Sequence, residues 1–133
     1  MTREGYLNAF RVVVALGIPP NLYFAYPALF KPEFVIRKAG LKPGFETVWL
    51  RNAGLLIWII TAYYLIAIWD PERYEPVAWM TIVGRLSAGV YWVYVSREPA
   101  GVTTNGAGFR PFVYVDFAFG LVSAVLLYVG LHT

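Results

Sequence analysis

Three ionisable side chains stand out well inside apolar stretches of this sequence: Arg51, Arg85 and Asp116. Charge at bilayer depth is expensive, so residues of this kind mark either a functional site or a structural pairing. A guanidinium carries five N–H donors and no acceptor, and an ionised carboxylate carries acceptors alone. Between them they can grip a polar head group, satisfy a bare carbonyl or form an ion pair. The missing residue types narrow the chemistry further. The 133 residues include no cysteine, a single histidine (His132) and two methionines, Met1 and Met80. There is accordingly no disulfide, no thiolate nucleophile and no thioether-linked haem. No span offers a histidine to ligate a haem or a transition metal, or to activate a serine. The sequence predicts a protein that is not an enzyme and holds no cofactor or metal of its own. A net charge of +3, scattered along the chain, gives no grounds for nucleic-acid binding.

These polar groups sit on four apolar runs, 6–30, 48–69, 77–95 and 112–131, each closed by charge or proline. About 20 residues of helix cross a hydrocarbon core of about 30 Å, and every run is close to that length. Hydrophobic residues make up 59% and charged residues 14%, against about 25% charged in soluble domains. The expected fold is all-α: one integral membrane domain over 1–133, built as a four-transmembrane-helix bundle. Trp49 and Trp69 bracket the second run, about 30 Å apart along a helix, where indole rings favour the two headgroup levels. The short acidic connection Asp70–Pro76 makes runs two and three antiparallel neighbours. In 31–40, Pro32 and Glu33 come early, Arg37 and Lys38 late, and Gly40 last. That is the layout of a capped short helix, expected to lie in the membrane interface between helices one and two. Asn105–Gly106 predicts a tight turn in the polar stretch 96–111. The first run has no cleavage-site layout and is read as a retained span.

Charge orients the bundle. Lys31, Arg37, Lys38, Lys42, Arg97 and Arg110 fall on one side, and Arg3, Arg11 and Arg73 on the other. The positive-inside tendency then places both termini and the acidic connection outside. Arg51 and Asp116 each lie within about 6 Å of the inner end of their span and lean toward it. Each either snorkels separately to water or pairs with the other, joining helices two and four. Arg85 is deeper, about 12 Å and 15 Å from the two faces. Because it leans outward while Asp116 leans inward, the side-chain tilt disfavours their pairing. Helix one offers other partners: Pro19 and Pro20 kink it and cannot donate to the carbonyls of Ala15 and Leu16. Those carbonyls lie near the depth of Arg85, and Asn21, just past the kink, is placed to join them. Arg85 is thus either a buried structural group or one that faces a ligand or a partner subunit.

Gly84-x-x-x-Ala88 and Gly120-x-x-x-Ala124 fit the small-xxx-small pattern that lets helices approach closely, which predicts packing of helix three on helix four. Leu50-Arg51-Asn52-Ala53-Gly54-Leu55, Gly84-Arg85-Leu86 with Gly89, and Asp116 at the head of the last run resemble the second, third and fourth helices of small bacterial membrane proteins of the DoxX-like group. The resemblance implies a four-helix bundle in a bacterial cytoplasmic membrane and an association with redox or quinone-linked systems, and it supplies no catalytic residue. The proline pair of helix one and the outward termini depart from that group's pattern.

The leading functional expectation is a non-catalytic accessory subunit of a larger membrane complex. With 18% aromatic residues, its outer faces would pack on other subunits, on further copies of itself or on trapped lipid. The alternative is a stand-alone binder of quinone or another hydrophobic ligand. In that case the Pro19–Pro20 kink opens a pocket, Arg85 and Asn21 act as polar hooks, and Tyr63, Tyr64 and Tyr91 form its walls. A small transporter working through Asp116 is the weaker third option.

Overall fold

The structure, a computed structural model, describes residues 1–40, 47–97 and 110–133. Lys42 and the Asn105–Gly106 turn fall outside the described residues. Six helices follow one another: α1 (Arg3–Leu16), α2 (Ile18–Phe30), α3 (Pro32–Ala39), α4 (Thr47–Trp69), α5 (Glu75–Arg97) and α6 (Arg110–His132). Among the described residues no strand interrupts them.

The first apolar run is two helices instead of one kinked span. Thr2 caps α1, its hydroxyl accepting from the Gly5 N–H at 3.1 Å. The helix closes at Gly17, whose N–H turns back to the carbonyls of Val13 and Val14, each at 3.1 Å. Pro19 and Pro20 then fall in the first turn of α2. Helical N–H groups there have no partner to lose, so proline is tolerated. Among the described residues, the stretch Arg3–Phe30, with 28 residues, is one of three that are long and apolar enough to cross a membrane; the others are α4 and α6, with 23 residues each. α5 has the same 23 residues but carries Arg85 and Ser87 in its middle and charge at both ends, which lowers its mean hydropathy.

α3 is capped as its sequence predicts. Pro32 opens it, Arg37 and Lys38 close it, and Gly40 ends it at φ 68°, a left-handed turn that glycine adopts without penalty. Its apolar face is turned to the bundle: buried Val35 packs with Phe24, Ala28 and Leu50. The 70–74 connection is a tight turn in which Asp70 Oδ1 accepts from the Arg73 N–H at 3.0 Å. It sets α4 and α5 antiparallel, as expected.

One end of the bundle gathers both termini and this turn. Arg3 pairs with Glu72 and donates from Nη1 to the Leu131 carbonyl at 2.8 Å. Arg11 Nη2 donates to the Trp69 carbonyl at 3.1 Å. Inward from there, Leu7, Phe10 and Val14 of α1 form a single core with Tyr64 and Ala67 of α4, Ala78 and Ile82 of α5, and Leu127 of α6. Trp49 and Trp69, 65% and 69% exposed, mark the two ends of α4 on its outer surface.

Helices approach closely at several glycines, and only partly at those of the spacing motif. A Cβ at Gly54 would stand 2.9 Å from the Leu29 nitrogen and 3.0 Å from the Ala25 carbonyl oxygen, so α4 rides directly on α2 there. At Gly120 it would meet Leu86 Cδ2 at 2.7 Å, so α5 does pack on α6. Gly84, however, is exposed, and a methyl group added there would meet nothing within 4 Å. α5 meets α6 through Leu86 and through Gly89, which rests on Phe117, and it turns Gly84 away. Ala88 and Ala124 are half-buried. Spacing alone does not say which face of a helix is turned inward. Gly54→Leu is therefore expected to destabilise the fold by about 1–3 kcal/mol, and Gly84→Leu by less than about 0.5 kcal/mol. Thermal unfolding followed by circular dichroism in mild detergent measures both.

Candidate functional site

Half-way along α5, Arg85 is 7% exposed, and its guanidinium is where the helices of the bundle converge. Nη1 donates to Asp116 Oδ1 of α6 at 2.9 Å, and Nη2 donates to the Gly17 carbonyl at 2.7 Å. The Cζ atom lies 5.4 Å from the ring centroid of Tyr64 on α4 and 5.4 Å from that of Phe119 on α6. Attraction between a desolvated guanidinium and an aromatic face adds about 2 kcal/mol at such sites. One side chain thus ties the α1–α2 break, α4 and α6 to α5.

The Arg85–Asp116 ion pair corrects the expectation drawn from side-chain tilt. Asp116 is 8% exposed and has Arg85 as its partner. α5 and α6 approach at Gly120, beside the Arg85 Cβ, which puts Asp116 about one helical turn, or 5.4 Å, from the level of Arg85. The long arginine stem spans that gap, and the two arms of the guanidinium serve one partner on each side. The tilt of a Cα–Cβ bond is too small to oppose it. Arg51 is exposed on α4 and makes no ion pair with Asp116; it is placed to reach water by itself.

The expectation that Arg85 satisfies a carbonyl at the break of helix one is right in kind and shifted in position. The acceptor is Gly17 instead of Ala15 or Leu16. Ala15 and Leu16 occupy the exposed side of the chain, whereas Gly17 is buried. The Gly17 carbonyl makes only a long bond, 3.4 Å, to the Asn21 N–H, so it remains open to a second donor. Asn21 does not join this set. Its Nδ2 donates to Thr61 Oγ1 at 3.1 Å, and Thr61 in turn donates to the Ile57 carbonyl at 2.6 Å. That chain links α2 to α4 one turn from the ion pair.

Beside the ion pair is a cavity of about 140 Å³ walled by α2, α4, α5 and α6. Asn21, Tyr64, Arg85, Trp92 and Asp116 supply its polar lining, and Pro20, Phe24, Ile57 and Phe112 are among its apolar walls. A void of that size holding polar groups has room for a small ring or several waters. Pro20, the two polar hooks and Tyr64 therefore do share one pocket, while Pro19 is exposed and lies outside it. Tyr63 lies outside the cavity, on a neighbouring furrow, and Tyr91 is exposed on the outer surface. Gly17, Thr61, Trp92 and Phe119 complete the arrangement, although none of them stands out in the sequence as a site residue. Gly17 alone carried a signal, as the residue just before the Ile18-Pro19-Pro20 break. Among the described residues no group of acidic, histidine or cysteine side chains could hold a metal ion.

Removing one member of the buried pair strands the charge of the other, which costs about 3–5 kcal/mol. Arg85→Leu and Asp116→Leu should each lower the unfolding free energy in mixed micelles by that order. The double variant should recover most of the loss, because it leaves no lone charge. No protein-family model, curated protein or solved structure matches this chain.

Proposed function

We propose that this chain is an integral membrane protein that crosses the bilayer four times and binds a hydrophobic ligand, such as a quinone, by its polar end in the cavity beside Arg85 and Asp116. The spans are α1–α2, α4, α5 and α6. α3 lies at the inner interface with Lys31, Arg37 and Lys38 directed toward headgroups, and both termini are outside. α5 crosses despite its arginine because Asp116, the Gly17 carbonyl and two aromatic rings stand in for water around the guanidinium. The observation that carries the ligand reading is the cavity itself. It is a space of about 140 Å³ half-way along the helices, apolar over most of its wall, with five polar side chains converging on one region. This is the usual composition of a small-molecule site.

The sequence by itself puts an accessory subunit first, and the cavity is what shifts the weight to a ligand. Assembly into a larger membrane complex is the second reading. It is favoured by Gly84 and Ser87, small residues exposed on the outer face of α5, where a partner helix can come close. The DoxX-like resemblance accommodates either one.

Lipid extraction and mass spectrometry of protein purified in mild detergent should return a stoichiometric lipophile from the wild type. Ala88→Phe, which fills the cavity from the α5 wall, should lose it. Wild-type protein free of any stoichiometric ligand would refute the reading. A partner chain co-purifying instead would favour the accessory subunit.

A further inference from the structure

The cavity is not closed on the α4–α5 side. A furrow of about 390 Å³ runs between those helices, and it shares Ile60, Tyr64 and Gly84 with the cavity. At Gly84 a Cβ would meet nothing within 4 Å, so no side chain at that position stands between the two adjoining spaces. From Pro76 to Gly84 the furrow follows nine residues of α5, about 12 Å of helix. Tyr63 and Met80, both more than half exposed, form its outer lips. The hydroxyl of Thr81, which also lines it, is already donated to the Ala78 carbonyl at 2.7 Å. The furrow thus offers an apolar bed open to the side, and the cavity at its inner end offers the polar groups.

The charges of the cavity are already matched. Arg85 and Asp116 neutralise each other, and no other ionisable carboxylate, lysine or arginine among the described residues lines the space. An anionic head would meet the Asp116 carboxylate, and a cationic one the guanidinium. In either case a third charge would be taken out of water without a counter-ion, a cost of several kcal/mol. A neutral carbonyl or hydroxyl head needs only hydrogen bonds, which the Asn21 amide and the Tyr64 hydroxyl on the cavity wall have capacity to make beyond those they already form.

Building on the ligand reading above, we infer that the occupant is an uncharged amphiphile that enters sideways from the bilayer, seating a carbonyl or hydroxyl head beside Arg85–Asp116 and laying its tail along the α4–α5 furrow. Gly84 is the threshold between the two compartments, and its missing side chain is what keeps them connected.

The test uses full-length protein in lipid nanodiscs with Trp49→Phe, Trp58→Phe, Trp69→Phe and Trp79→Phe, so that fluorescence reports Trp92 on the cavity wall. The probes are decylubiquinone, its benzoquinone ring without the tail, and brominated palmitate as the anionic comparator. Saturable quenching is expected from both quinones, with none from palmitate beyond that of bulk lipid. Gly84→Leu should weaken decylubiquinone about tenfold, or about 1.4 kcal/mol, and leave the tail-less ring unchanged. Ser87→Leu, on the outer face of the same helix, should change neither. Undiminished decylubiquinone binding in Gly84→Leu, or equal weakening of both quinones, overturns the sideways path while the cavity reading stands. Saturable palmitate quenching overturns the neutral head. No saturable quenching by either quinone in the otherwise wild-type protein removes the cavity reading and this inference together.

Discussion

The guanidinium of Arg85 is the constraint around which the bundle is arranged. A cation placed half-way along an apolar helix has no route to water, and in a low-dielectric interior each donor without an acceptor is costly. Asp116 and the Gly17 carbonyl meet that need from opposite sides. For both to reach one side chain, α5 must lie against α6, and the arginine stem must extend across the bundle to the α1–α2 break at the same level. Gly120 makes the first approach possible, since any side chain there would strike Leu86 and the Arg85 stem. Buried Gly17 makes the second possible, because its added Cβ would run into the guanidinium itself. The open face of α5 follows from the same geometry: a helix drawn toward α6 turns Gly84 away from it, next to a space that α4 does not fill.

The break at Gly17 is the second half of this design. In a continuous helix the Gly17 carbonyl would bond fully to the amide four residues on and have less to offer a cation. Ending α1 at Leu16 and restarting at Ile18 lengthens that bond to 3.4 Å and leaves acceptor capacity facing inward. Pro19 and Pro20 fix the restart, since neither can donate backward into α1. The break and the arginine compensate each other: one exposes an acceptor at depth, and the other brings donors there that need it.

Much of this was legible from residue order. Apolar runs of membrane-crossing length, the capped 31–40 helix and the tight acidic turn are local features, and each is carried by neighbours in the chain. The gathering of both termini and the turn at one end follows from the even number of long segments running back and forth among the described residues. That Arg85 needs a carbonyl at a broken helix was also legible, because donor count and missing proline donors are both sequence properties. The partner Asp116 was not. Counting residues gives depth along each helix and nothing about lateral distance, and a stem as long as arginine's makes one helical turn of mismatch unimportant. The same gap explains Gly84. A four-residue spacing of small residues marks a smooth stripe, but only the positions of the other helices decide that Leu86 and Gly89 turn inward and Gly84 outward. The cavity is a further step removed, since it is bounded by four helices and no two adjacent residues define it.

Buried ion pairs are seldom retained for stability alone, because well-packed apolar residues of similar volume often serve as well or better. A leucine pair at positions 85 and 116 would hold α5 to α6 by packing and remove the desolvation cost. It would also leave the cavity with only Asn21, Tyr64 and Trp92 as polar lining, and the Gly17 carbonyl without its short bond to Arg85. The pair maintains a condition that apolar packing cannot supply, a polar region deep among the helices with no net charge. On the ligand reading proposed above, such a region would discriminate by head group more than by tail. It would reward a neutral oxygen that can bond to groups already fixed in place and penalise fatty acids and amines that unbalance the pair. Selection against ordinary charged lipids would then be a consequence of the same interaction that positions the helices, tying recognition to the fold through a single side chain.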